Sequence, residues 1–223
     1  MRLLPRPHAL ARSWRRAGVV SLGLIAAAAT TSCEDPLRER QIAELGPEEA
    51  NFPPSAIHRV GQPCVLCHSD YLGAEPQMVF GGTVFLEPDP EDPEAPLVGV
   101  PGYEIRLLDS RGQITPEGLI TTNECGNFWV TEEQFKPAYP VRTEIHGPSL
   151  NDAERRVQIS SMSTRIGRDG SCGGCHAEPR SPLSPGAIFI PRELFNADAI
   201  TIPDPGACPP PRFRPTVPET LDQ

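Results

Sequence analysis

Two pentapeptides hold the residue types that can carry a tetrapyrrole. Cys64-Val65-Leu66-Cys67-His68 and Cys172-Gly173-Gly174-Cys175-His176 both read C-x-x-C-H. At this spacing two thiols can each form a thioether to one of the two vinyl groups of a haem, and the histidine that follows can bind the iron from below. Cys64, Cys67, Cys172 and Cys175 would be the thioether residues, and His68 and His176 the proximal iron ligands. The spacing therefore predicts two covalently attached haem c groups. The rival chemistry is zinc, since two C-x-x-C pairs can close one tetrahedral tetrathiolate site; zinc pairs usually lie closer in sequence than these do. A thioredoxin-like C-x-x-C needs a βαβ setting, which the sequence does not offer. Two strained two-residue disulfide loops are the remaining alternative.

An iron held from below usually takes a sixth ligand above. Of five histidines, His8 belongs to the leader and two are proximal, leaving His58 and His146. Of three methionines, Met78 and Met162 remain beside Met1. Methionine as the sixth ligand raises the potential and histidine lowers it. His58 shortly precedes the first motif and Met162 the second, so these two are the distal candidates. His146 ends an expected strand and reads as a surface residue. Met78 begins one and competes with core packing. Either iron left five-coordinate would keep an open position for a small ligand or for peroxide chemistry.

The elements that must position these groups are short. Prolines number 28 and forbid long helices over much of the chain. After the leader the only helical period is a weak one at 36–45. Strand patterns begin at Met78, where 78–86 sets β-branched and aromatic residues around a glycine pair. The acidic, proline-rich stretch 87–96 reads as an exposed loop. Residues 103–108 alternate, a turn follows at Asp109-Ser110-Arg111-Gly112, and 113–122 is expected to return as a hairpin partner. Further strands are expected at 127–131, 141–146 and 155–162. About seven short strands at regular spacing suggest a β-sandwich.

The N-terminus is basic, with Arg2, Arg6, Arg12, Arg15 and Arg16, and then apolar over 17–29. This is the layout of a secretory signal, and the apolar run is shorter than the ~20 residues of a spanning helix. Thr30-Thr31-Ser32-Cys33 resembles a bacterial lipoprotein cleavage site, with Thr30 where that family usually has Leu. The resemblance implies that Cys33 becomes the lipidated first residue; ordinary cleavage near Ala29 would leave it a free thiol. Twenty Lys and Arg less the five of the leader, against 29 Asp and Glu, leave a net charge of −14. Such a chain is a poor ligand for nucleic acid or an anionic membrane surface and suits a basic redox partner. Nineteen of the basic residues are Arg and only Lys136 is Lys, so a lysine-rimmed haem edge is excluded. No G-x-S-x-G, phosphate loop or paired-carboxylate site is present. Cys125 and Cys208 are left over, and in an exported protein a leftover pair favours a disulfide; two separate thiols are the alternative.

Phe80-Gly81-Gly82-Thr83-Val84, Gly102-Tyr103-Glu104-Ile105-Arg106-Leu107 and Thr121-Thr122-Asn123-Glu124-Cys125-Gly126-Asn127-Phe128 together resemble the carboxypeptidase regulatory-like (transthyretin-like) domain. The likeness covers about residues 78–147. It implies a non-catalytic sandwich in which a G-T-V strand opens the fold and a T-N-x-x-G-x-F turn delivers an aromatic to the core. The whole arrangement resembles exported cytochrome-like lipoproteins of high-GC bacteria. The expected fold is mainly β: a transthyretin-like or Ig-like sandwich flanked by loop-rich C-x-x-C-H segments, with little helix. The expected organisation is a lipoprotein signal peptide (1–32), a flexible tether (33–57), a first haem-attachment segment (58–77), the sandwich (78–162), a second haem-attachment segment (163–190) and a proline-rich tail (191–223). The expected function is electron transfer with periplasmic or membrane redox proteins, in the periplasm or at the cell surface, by a carrier lipid-anchored at Cys33. A dihaem peroxidase fits less well, because those enzymes are longer and helical. The alternative is a surface binding or structural lipoprotein whose C-x-x-C-H motifs bind zinc or form disulfides.

Overall fold

Met78–Leu86 forms β1, and every residue from Phe80 to Phe85 is buried. Burial of successive residues means that both faces of the strand are covered. The computed structural model describes residues 35–213 apart from Leu72, Pro179, Leu183 and Pro205, so the expected signal peptide and lipidation site at Cys33, within residues 1–34, and residues 214–223 lie outside the described residues. The chain divides into two units, residues 1–40 and 41–223. Helix α1 (Pro36–Glu44) starts in the first, where Asp35 Oδ1 accepts from the N–H groups of Leu37 (3.0 Å) and Arg38 (3.3 Å) and Pro36 takes the first helical position. No helix among the described residues is long and apolar enough to cross a membrane.

The second unit is mainly β, with two three-stranded sheets. In the first, β1 runs antiparallel to β3 (Asn127–Thr131) on one side and parallel to β6 (Ile188–Ile190) on the other. In the second, β4 (Arg142–Ser149) lies between β2 (Glu104–Leu108) and β5 (Asp152–Ser161), all antiparallel, with Ile105 opposite Ile145. Phe80, Val84, Phe128 and Val130 from the first sheet share one apolar cluster with Ile105, Leu107 and Ile145 from the second. A smaller cluster gathers Val60, Phe85, Cys125 and Ala187. Alternate residues of β1 thus serve different clusters, as a strand's period of two requires.

Three expectations change against this frame. Residues 113–122 form no strand; their backbone meets β2 at the isolated bridges Leu108–Ile114 and Glu104–Thr121, because Pro116 and Gly118 interrupt the ladder between them, and Thr115 Oγ1 accepts from the Leu107 N–H (3.1 Å). The stretch 163–190, read as an attachment loop, also supplies β6 to the first sheet. The stretch 33–57, read as a flexible tether, holds α1 and is fixed at its middle. There Leu45 is buried, Arg59 donates to Gly46 O (3.0 Å) and pairs with Glu48 (2.9 Å), and Arg212 donates to Pro47 O (3.1 Å).

Cys125 and Cys208 form a disulfide with their Cα atoms 5.6 Å apart. It brings the tail against the segment that precedes the first motif. Arg212 N–H donates to Val60 O (3.0 Å), and the Phe213 ring lies 5.8 Å from that of Phe85.

Candidate functional site: two C-x-x-C-H turns on one strand

Each pentapeptide folds into one tight turn. Cys64–Cys67 is a single helical turn, α2, entered from Pro63 and closed by the His68 N–H donating to Cys64 O (3.0 Å). Cys172–Gly174 is a 3₁₀ turn, and the His176 N–H donates to Cys172 O at 2.8 Å. A turn of this kind puts residues i, i+3 and i+4 side by side. The two thiols and the imidazole of the second motif line one cavity, which is what attachment to one porphyrin requires.

The turns meet at the glycine pair of β1. A Cβ on Gly81 would stand 3.2 Å from Cys64 Cβ, and one on Gly82 would stand 2.6 Å from Cys172 Cβ and 3.1 Å from its Sγ. Neighbouring residues of a strand face opposite sides, so each motif docks on its own face of β1. The first is tied there by Thr83 Oγ1, which accepts from the Gly61 N–H (2.9 Å). The second is tied by the Gly81 N–H donating to Gly170 O (3.0 Å). The second motif also touches the segment that leads into the first, since a Cβ on Gly173 would stand 2.6 Å from the carbonyl carbon of Gln62. Sequence reading noted the glycine pair only as a strand feature; its role shows once the turns are in place.

Both proximal candidates are oriented by backbone carbonyls. His68 Nδ1 lies 3.0 Å from Pro76 O and 3.2 Å from Ala74 O, and His176 Nδ1 lies 2.9 Å from Gly186 O. A carbonyl can only accept, so each ring carries its proton on Nδ1 and its lone pair on Nε2. This is the tautomer of a histidine ready to bind a metal through Nε2. The carbonyls of Pro76 and Gly186 left no sequence signal, because every residue has one. Ser184 is buried and knits the second loop, accepting from the Ala177 N–H (2.9 Å) with Cys175 O and Ala177 O both in reach of its hydroxyl.

The distal candidates separate. The His58 ring centre lies 5.8 Å from that of His68, with 33° between the rings. His58 Nδ1 faces the backbone of Ser55, and Asn127 Nδ2 holds the segment by donating to His58 O (3.2 Å). Met162 lines a cavity of about 760 Å³ together with Cys172, Cys175 and His176. Val84, Ile105, Phe128 and Ile145 give that cavity apolar walls. Met78 lines a smaller cavity, about 170 Å³, beside Val65 of the first motif and Ser69 just after it. His146 belongs to neither and faces Glu144 Oε2 at 3.1 Å.

The thiols are unequal. The protein packed around Cys64 pushes its thiol up to about 11, its own backbone opposes the shift, and Cys67 adds to it. Burial raises Cys172 further, and the nearby Cys64 adds to the effect. Cys175 is exposed, and none of the four is disulfide-bonded. Two hydroxyls that line the larger cavity, Thr143 Oγ1 and Ser171 Oγ, are buried without a hydrogen-bond partner. A buried polar atom left unpaired costs about 1–3 kcal/mol, so the pair suits a ligand with polar edges. Among the described residues no three His, Cys, Asp or Glu side chains converge on one point as zinc ligands must. No family model, curated protein or solved structure matches the chain.

Proposed function

We propose that the chain is an exported dihaem c-type cytochrome-like protein that carries electrons between periplasmic or cell-surface partners. The observation that carries this reading is the repeated construction of the two motifs. Both fold into a closed turn, both orient their imidazole by a carbonyl on Nδ1, and both dock on β1. The larger cavity lies within the ~300–1,000 Å³ of sites that enclose drug-sized ligands, and its two unpaired hydroxyls fit a group with a polar rim. A haem bound at each motif would supply an iron that changes charge by one electron.

The chain's own residues do the rest. Cys64, Cys67, Cys172 and Cys175 would hold the rim of each group, His68 and His176 would offer Nε2 to its metal, and His58 and Met162 would be the distal ligands. The apolar residues of the larger cavity would cover part of the group on the second motif. A transthyretin-like sandwich is the finer reading of the fold, supported by the cluster that the two sheets share. Lipid anchoring at Cys33 is the finer reading of location, supported by the leader pattern alone. A carrier is favoured over a peroxidase.

The test is expression in a host with haem-attachment machinery, followed by a pyridine haemochrome assay and intact-mass measurement. Two covalent haems per chain are expected. A colourless protein that holds zinc would overturn the reading in favour of a structural lipoprotein.

A further inference from the structure

We infer that the two motifs are unequal redox sites, the first at low potential and the second at high potential, so that electrons given to the chain collect at the second. This rests on the haem reading above. Two separate observations point the same way.

The first is the distal partner. Two imidazole–metal bonds of about 2 Å in line, with about 1 Å more from each nitrogen to its ring centre, place two ring centres about 6 Å apart. His58 and His68 stand 5.8 Å apart. His58 Nδ1 faces the backbone of Ser55, so Nε2 is the ring nitrogen turned away from it. At the second motif the residue that shares the cavity with His176 is Met162, held in place by its N–H donating to Thr143 O (3.0 Å). Histidine opposite histidine gives a low potential, and methionine opposite histidine a higher one.

The second is the setting of the second motif, whose two thiols and imidazole line the cavity of about 760 Å³ with mostly apolar walls. Apolar surroundings disfavour the more highly charged oxidised state and raise the potential there.

Ligand and surroundings thus act together at the second site, and the ligand alone at the first. A one-electron donor protein would be oxidised at the first motif, and a one-electron acceptor protein reduced from the second, with no bond made or broken in the chain.

The experiment is a spectropotentiometric titration of the purified dihaem protein. Two separated one-electron waves are expected, with the near-infrared band of thioether ligation following only the upper one. Met162→His is expected to abolish that band and lower the upper wave alone, and His58→Met to raise the lower wave alone. The band of the unaltered protein decides the matter even if a variant fails to fold. Two coincident waves, or a band that follows the lower wave, overturn the inference while the count of two haems stands. Fewer than two haems per chain overturns the proposed function and the inference with it.

Discussion

Around the first motif the supporting groups come from distant parts of the chain. Val60 is held by Arg212, Gly61 lies against Phe213 and is bonded by Thr83, and His58 is held by Asn127. Around the second motif the supports are local. Ser184, Gly186 and Glu178 fix the loop that carries His176, and Cys172 belongs to the main apolar cluster. One five-residue turn is therefore stabilised in two ways. The first copy depends on a clamp closed by the chain's far end, and the second on core packing and its own loop. The difference matters for function, because the packed copy is the one whose thiols and imidazole line the larger cavity.

The largest expected effect comes from opening the clamp. The disulfide joins residues 83 positions apart, and removal of a native disulfide typically costs about 2–5 kcal/mol. Replacing Cys125 and Cys208 together by Ser is expected to lower stability by that amount in chemical denaturation. Hydrogen exchange sharpens the point: amides at 57–68 should lose more protection than those at 171–177. Equal loss at both motifs would break the comparison.

A smaller effect separates the two faces of β1. Gly82→Ala would drive a methyl within 2.6 Å of Cys172 Cβ and 3.1 Å of Phe128 Cζ, neither of which is a flexible chain end. Overpacking of this kind costs about 1–3 kcal/mol. Gly81→Ala meets Cys64 Cβ and Phe128 O at 3.2 Å. That crowding is mild, and the alanine recovers about 0.5–1 kcal/mol of the entropy that glycine loses in a strand. Thermal unfolding of the two variants should show Gly82→Ala clearly destabilised and Gly81→Ala near neutral. The reverse order would mean that the first motif is the more tightly packed one.

What the sequence made legible follows from whether a signal is local. The β1 span could be read at its full length because its β-branched and aromatic residues announce an extended strand without reference to a partner. The weak helical period at 36–45 falls on α1, although the stretch 33–57 as a whole reads as a tether. The three-residue β6 could not be read, since Ile188-Phe189-Ile190 becomes a strand only through pairing with Val84, Phe85 and Leu86. Residues 113–122 failed in the opposite sense: the local pattern suggested a strand, and the structure gives it two bridges. The site divides in the same way. Thiols and imidazoles are legible by identity and spacing. The carbonyls that set the imidazole tautomers, the contact of Gly173 with Gln62, and the stranded hydroxyls of Thr143 and Ser171 exist only after folding.

The smallest effect concerns chemistry rather than stability, and it tests the packing of the two motifs directly. A thiol reacts as its thiolate, so a raised thiol pKa and burial both slow modification. In folded protein made without haem attachment, Cys175 at the surface should alkylate first and the buried Cys172 last, with Cys64 slow as well. The sign is fixed by the shift. A thiol pushed up to about 11 stays protonated until the solution approaches that pH, so Cys64 should gain reactivity only in strong alkali. Mass mapping of alkylated peptides over a pH series reads this order. A Cys172 that reacts as fast as Cys175 at neutral pH would mean that the second motif is not packed against Gly82, and the contrast between a clamped and a packed motif would fail at its packed end.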